Sequence, residues 1–423
     1  MTDWIDAHRV ADLLRPGMTV FVAGATAEPA GILAALAAEG SRAEGVRFVS
    51  VFLPGVNEFD LSALHERARC TAFFATGGNR AALAAGRIDF LPLGYRAIYD
   101  YLEHGPPIDV ALVQVPPADA GRPVGLGLCA DFLPAVIDRA GTVVGEVNRR
   151  QPTVADSFEL AAGRLDYAVE CQRALPELPA PAPSERDAAL GRHVAELVAD
   201  GSCLQVGLGR APAVVLAALG GKNDLGCHSG MITDGIMHLA QAGNLTGRCK
   251  ELDPGRIVTG VVLGSEALYR WAGEAPELRV RPVAYTHDPG TIARLGKLVS
   301  INTALQVDLF GQVNAESLDG RQVSGPGGAP DMMRGAALSP GGKSIVVLGA
   351  TAAGGSRSRI VAALDARTAA TSARSDIDYV VTEFGARRVR HLPVAERARA
   401  LIEIAHPDFR PQLSEEWREL QAR

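Results

Sequence analysis

Short β-branched or apolar runs at residues 19–23, 46–52, 110–115 and 142–147 alternate with Ala/Leu-rich stretches such as residues 30–38. That alternation constrains the fold more than any other feature, because brief buried runs separated by helix-forming sequence indicate parallel strands joined by crossover helices. It stops at residues 174–186, Ala-Leu-Pro-Glu-Leu-Pro-Ala-Pro-Ala-Pro-Ser-Glu-Arg, where prolines hold the chain extended and deny it a hydrogen-bonded ladder. The pattern then restarts. Residues 188–198 read as a helix, 202–206 as a strand and 211–219 as a helix opened by Pro212. Further buried strands are predicted at 256–263, 298–301, 344–348 and 378–382, each a short apolar run with Gly, Asp or Lys at or beside an end. Gly311-Gln312 within residues 308–314 marks a turn between two short strands. The expected organisation is two α/β domains, residues 1–173 and 187–423, joined by a linker at 174–186. With 423 residues, 47% of them hydrophobic, the chain can fill two cores.

Apolar runs such as residues 344–350 are too short to span a bilayer, and the N-terminal Met1-Thr2-Asp3-Trp4-Ile5-Asp6 carries acids where a secretory signal needs a basic region and an apolar core. A soluble, cytoplasmic protein is expected. A formal net charge of -6, with no long basic run, argues against nucleic-acid binding. Cys70, Cys129, Cys171, Cys203, Cys227 and Cys249 are widely spaced, without a C-x-x-C pair or partnering histidines, so neither a metal site nor a disulfide framework is indicated.

Two glycine-rich segments stand out. The strand at 202–206 runs into Gly207-Leu208-Gly209 and then a helix, so backbone amides can face outward at a helix N-terminus and hold an oxyanion or phosphate. A plain tight turn accounts for the same residues. It is not a dinucleotide fingerprint, since Arg210 to Pro212 lacks the third glycine. The second segment, Ser324-Gly325-Pro326-Gly327-Gly328-Ala329-Pro330-Asp331, gives a backbone that approaches a ligand closely without being floppy.

The ordered segments Leu204-Gln205-Val206-Gly207-Leu208-Gly209, Ser300-Ile301-Asn302-Thr303-Ala304-Leu305-Gln306-Val307-Asp308 and Gly311-Gln312-Val313-Asn314-Ala315-Glu316 resemble the acetyl-CoA hydrolase/transferase family, which includes 4-hydroxybutyrate CoA-transferase. The likeness continues through Ser324 to Gly328, Gly341-Gly342-Lys343-Ser344-Ile345 and Val381-Thr382-Glu383-Phe384-Gly385, and runs over nearly the whole chain. It implies two tandem CoA-transferase-like α/β domains packed around an interdomain cleft, with acyl-CoA as substrate, a small-molecule acceptor and no metal. Matched residue by residue, Asn302 resembles the family's active-site asparagine and Glu383 its second active-site acid. Gln205, Gly207, Gly209, Gly325, Gly327, Gly328 and Lys343 would bind CoA, the glycine loop lying against the thioester and pantetheine arm. Asn314 and Glu316 share one side of an extended segment and either face the cleft or hold their loop together. Taken alone, Asn302 also reads as a strand-end turn former, Lys343 as a solvated charge and Glu383 as a strand-terminal residue. First-domain segments at Glu28-Pro29, Gly94-Tyr95, residues 114–117 and Glu146-Val147-Asn148 would supply the acceptor side. The resemblance is compatible with a homodimer, and the helical tails at 395–405 and 414–422 could serve packing or association.

One position departs from the family. Its members carry His-Thr-Glu-Met or a similar turn, and that glutamate attacks the acyl-CoA thioester; here the stretch is Cys227-His228-Ser229-Gly230-Met231, with Gly230 at the glutamate's place. Glycine cannot form the acyl anhydride or the glutamyl thioester. If the stretch is extended, His228 shares a face with position 230 while Cys227 and Ser229 point away. His228 is then the candidate general base for a non-carboxylate acceptor or water, or a structural histidine, and the missing side chain would open a small volume for the acceptor. Three readings follow: acyl transfer without a glutamyl intermediate, ordinary CoA transfer with a substitute acid among Glu316, Glu383 and Glu146, and a non-catalytic acyl-CoA-binding protein.

Overall fold

The computed structural model describes residues 2–118, 123–178 and 184–422. The chain divides into two compact units, one of residues 1–179, 258–286 and 323–325, the other of residues 180–257, 287–322 and 326–423. This partition differs from two consecutive halves, because residues 258–286 pack with the first unit. Their backbone is tied there: Val262 N–H donates to Leu128 O at 2.8 Å, Ala130 N–H to Gly260 O at 3.0 Å and Val283 N–H to Asp131 O at 2.8 Å.

The first sheet has eight strands, β1 (Asp3–Trp4), β2 (Thr19–Val22), β3 (Arg47–Ser50), β4 (Arg69–Ala72), β5 (Ile88–Phe90), β6 (Val110–Val115), β7 (Thr142–Asn148) and β8 (Tyr167–Cys171), ordered β1-β8-β7-β6-β2-β3-β4-β5. All neighbours are parallel. β2 and β6 are buried along their whole length, as continuous apolar strands of a sheet covered on both faces must be. Helix α1 (Ala30–Ala38) presses Ile32, Leu33 and Leu36 into the same core as Val20, Phe48 and Leu112. Its first turn is held by Glu146 of β7, a fully buried carboxylate accepting from Gly31 N–H at 3.1 Å and Ile32 N–H at 2.6 Å.

The second unit repeats the plan, with β9 (Cys203–Val206), β10 (Gly226–Ile232), β11 (Leu298–Thr303), β12 (Lys343–Val347), β13 (Tyr379–Thr382) and β14 (Gly385–Arg388) adjacent in the order β10-β9-β11-β12-β13-β14. All these pairs are parallel except β13 with β14. Helix α2 (Glu185–Leu197) begins inside the stretch assigned to the linker. The reason is chemical: Ser184 and Asp187 form a capping box that satisfies the first free amides. Within the same stretch, Leu178 N–H donates to Gly264 O, while residues 179–183 lie outside the described residues. The turn at Gly311, with φ +86°, joins Gln306–Asp308 to Val313–Asn314 as an antiparallel pair. The tail helices Val394–Ile404 and Arg410–Gln421 bury Leu401, Ile404, Leu413 and Trp417 against Val346 and Val380, so they serve packing.

In each sheet the connections run outward in opposite directions from one pair of neighbours, β2 and β6 in the first and β9 and β11 in the second. Ligands of open parallel sheets bind beyond the carboxyl ends of such a pair. In the second unit those ends are Gly207 and Asn302.

Candidate active site

The β9–β11 register sets Ser300 opposite Gln205, and Ser300 and Asn302, two residues apart, share a face. A closed polar cluster results. Gln205 Oε1 accepts from Ser300 Oγ at 2.6 Å and Asn302 Nδ2 at 2.9 Å, while Gln205 Nε2 donates to Asn302 Oδ1 at 3.2 Å. All three are buried, and reciprocal bonding fixes the carboxamide of Asn302 at the strand end. Gly207 closes over it: a Cβ there would stand 3.0 Å from Asn302 Oδ1. The Gly207 amide itself donates to Ile301 O at 2.9 Å, so any oxyanion must be held by the amides that follow. Gly209, with φ +113°, turns the chain into helix α3 (Arg210–Ala218), whose N-terminus faces this edge.

β10 is extended through Gly226–Ile232, so the parity expected of an extended strand holds. On one face Ser229 is tied to β9, donating through Oγ to Val206 O at 3.3 Å. Cys227 is fully buried and burial pushes its thiol up to about 12, which leaves no thiolate at neutral pH. The other face carries His228 and the direction in which a side chain at position 230 would project.

That direction is occupied. A Cβ on Gly230 would lie against His287 Cε1 and 2.8 Å from His287 Nε2, and a Cβ on Gly328 would lie against the same Nε2 and 2.8 Å from Cδ2. The expected open volume for an acceptor is therefore filled by an imidazole. Sequence reasoning missed His287, although its place directly before Asp288-Pro289, the start of the helix Pro289–Ala293, is visible in the sequence. It is 2% exposed, and burial first, then the neighbouring His228, lowers its pKa to about 3. The His287 ring is thus neutral across the physiological range. His228 is fully buried as well, so the end of β10 would have to open before it could take a proton from an acceptor.

The remaining candidates are distributed rather than gathered. Glu383 follows β13, four strands along from β10, a lateral separation of about 19 Å at about 4.8 Å per step. Its Oε1 pairs with Arg186 Nε at 2.6 Å and its Oε2 accepts from Ala350 N–H at 2.8 Å. Glu316 is buried and accepts from Gln322 Nε2 and Thr371 Oγ1, both at 2.8 Å. Asn314 Oδ1 accepts from Glu316 N–H at 3.1 Å and Ser317 N–H at 3.0 Å, so this pair holds its own loop together. Lys343 starts β12 at the opposite edge of the sheet from Asn302 and donates to Leu197 O at 2.6 Å, neutralising the C-terminal end of α2. In the glycine loop, Gly327 takes φ +63° and Gly328 opens helix α4 (Ala329–Leu338). Gly325 belongs to the first unit, where a Cβ would strike Phe73 O.

In the first unit, Glu28 lies just beyond β2 at that sheet's own switch point. Burial is the largest influence on it and lifts its carboxyl from 4.5 to about 7 against the opposing hydrogen bond from Asn57. Among the described residues no cluster of three or more His, Cys, Asp or Glu side chains is placed to hold a metal ion, and no helix is long and apolar enough to cross a membrane.

Comparison with known proteins gives one consistent result. Residues 2–174 match the acetyl-CoA hydrolase/transferase N-terminal domain and residues 264–417 the C-terminal domain of the same name. The chain is 36% identical to the 4-hydroxybutyrate coenzyme A transferase of Clostridium kluyveri over 98% of its length and 97% of that protein's. Over half its length it is 26% identical to the acetyl-CoA hydrolase of Eremothecium gossypii, covering 40% of that protein. Among solved structures, RipA from Yersinia pestis superposes with a TM-score of 0.92 at 31% identity, covering 99% of this chain and 98% of that one.

Proposed function

Because this chain belongs to the acetyl-CoA hydrolase/transferase family, whose members use acyl-CoA, we propose that it transfers an acyl group from acyl-CoA directly to a non-carboxylate acceptor or to water, without a covalent glutamyl intermediate. One observation carries this reading: position 230 is bare backbone, and the acids that could replace a carboxylate there are committed elsewhere. Glu383 is about 19 Å along the sheet, whereas nucleophilic attack needs an approach of about 3 to 3.5 Å. Glu316 is locked by Gln322 and Thr371.

In the proposed reaction the acceptor's X–H adds to the thioester carbonyl, the C–X bond forms, the C–S bond breaks, and the proton lost by the acceptor ends on the CoA thiolate. The developing oxyanion sits at the Leu208-Gly209 turn before α3, with Asn302 held rigid beneath Gly207, and the Gly325 to Gly328 loop flanks the pantetheine arm. A conventional acyl-CoA:carboxylate CoA-transferase is the second reading, favoured by the names of the relatives.

Mass spectrometry of CoA species separates the two. After incubation with acetyl-, propionyl- or butyryl-CoA and excess acetate or 4-hydroxybutyrate, the expected product is free CoA, with no CoA ester of the added acid. Formation of that ester at a rate comparable to thioester loss would establish the second reading, and intact acyl-CoA throughout would point to a binding protein.

A further inference from the structure

Position 230, where the resemblance places the family's glutamate, is a glycine, and another side chain fills the space beside it. The imidazole of His287 arrives from the segment between Thr286 and Asp288 and lies with its Nε2 edge against both Gly230 and Gly328. Neither glycine is required by its backbone: Gly230 is absent from the positive-φ positions, and Gly328 has φ -85° and ψ -7°, open to any residue. What keeps both bare is the ring between them, since a Cβ at either site would fall within 3.0 Å of it.

We propose that His287 is a specificity-determining residue: it fills the volume a side chain at position 230 requires, bars a carboxylate from the reacting centre, and so commits the site to chemistry without a covalent carboxylate. The proposal rests on the reading that the thioester is handled at position 230. It also means that Gly230→Glu alone does not convert the enzyme, because the new side chain must displace a packed imidazole before it can reach anything. Restoring a carboxylate takes two changes, one at each residue.

The test is a double-mutant cycle on the full chain, read in two ways. Thermal unfolding comes first, because it needs no substrate. Gly230→Ala and Gly230→Glu are each expected to lower the melting temperature by several degrees, and combination with His287→Ala or His287→Ser is expected to recover most of that loss. Two smaller replacements guard against one failing to fold. The second readout is acid exchange, butyryl-CoA plus acetate giving acetyl-CoA. Gly230→Glu is expected to show no more exchange than the wild type, and Gly230→Glu/His287→Ser at least tenfold more. Additive effects on unfolding would overturn the steric claim, as would a Gly230→Glu variant that is as stable as wild type and exchanges acids by itself. Stability coupling without exchange in the double variant would overturn the claim on reaction type. Wild-type failure to consume any acyl-CoA would instead remove the functional reading, leaving the unfolding cycle to decide the packing claim.

Discussion

Glu146→Ala is expected to destabilise the first unit by about 3 to 5 kcal/mol, because two amides at a helix N-terminus, one buried and one half-buried, lose their acceptor and the helix dipole loses its countercharge. The carboxylate has no solvent exposure and spans Gly31 N–H and Ile32 N–H, so water cannot replace it without opening the contact between β7 and α1. Glu146→Gln keeps one carbonyl acceptor and should lose less. Denaturant unfolding of both variants measures the difference. The same proteins decide a point of mechanism: if Glu146 only holds α1, thioester cleavage per folded molecule is unchanged in Glu146→Gln. Loss of cleavage in a fully folded Glu146→Gln variant would instead mark Glu146 as a substitute acid.

Asp131→Asn is expected to stabilise the protein at alkaline pH and to have little effect in acid. Asp131 is buried, burial raises its carboxyl from 3.8 to about 8, and Oδ1 is among the buried atoms lacking a hydrogen-bond partner. Below about pH 4 the folded and unfolded states are both protonated. Between about 4 and 8 the unfolded chain releases the proton while the folded one keeps it, so wild-type stability falls as pH rises and levels off above about 8. Each pKa unit corresponds to about 1.4 kcal/mol, and relaxation around a buried carboxylate returns part of that, leaving an expected advantage of about 3 kcal/mol for Asn at pH 9. Asparagine also tolerates the φ of +30° at this position. The check is the pH dependence of unfolding: the variant's slope should be shallower between pH 5 and 8, with a residual fall below 7 from Glu28, whose raised carboxyl acts in the same direction. Equal slopes would show that Asp131 ionises freely in the folded state.

The strands were legible because parallel sheets bury both faces, so β2, β6, β11 and β12 stand out as short apolar runs against helix-forming sequence. β10 was harder to read, since Cys227-His228-Ser229-Gly230 carries neither an apolar run nor alternation, and only the assumption of an extended backbone gave the correct faces. Ser184 to Asp187 shows how proline-rich composition can mask a local signal: a capping box begins inside the segment read as linker and closes on the residue after it. The packing of residues 258–286 with the first unit left no mark in the sequence, because chain order says nothing about which unit a later segment packs with. Family motifs singled out Gln205 and Asn302 together with the Gly207 turn, and the β9–β11 register supplies the reason they meet. Lys343 and Glu383 belong to the same motifs, yet strand direction and strand order carry them away from position 230. His287 was invisible for a different reason. Its relation to Gly230 is a contact between residues 57 positions apart, and only packing reveals that one residue's missing side chain is another's space.

The central claim is that no carboxylate of this protein becomes covalently attached to CoA. Intact-protein mass spectrometry during turnover of butyryl-CoA, quenched in acid and followed by peptide mapping, tests it directly. The predicted spectrum shows unmodified chain while free CoA accumulates. A species heavier by one CoA, mapped to a glutamate or aspartate and formed fast enough to account for turnover, would contradict it.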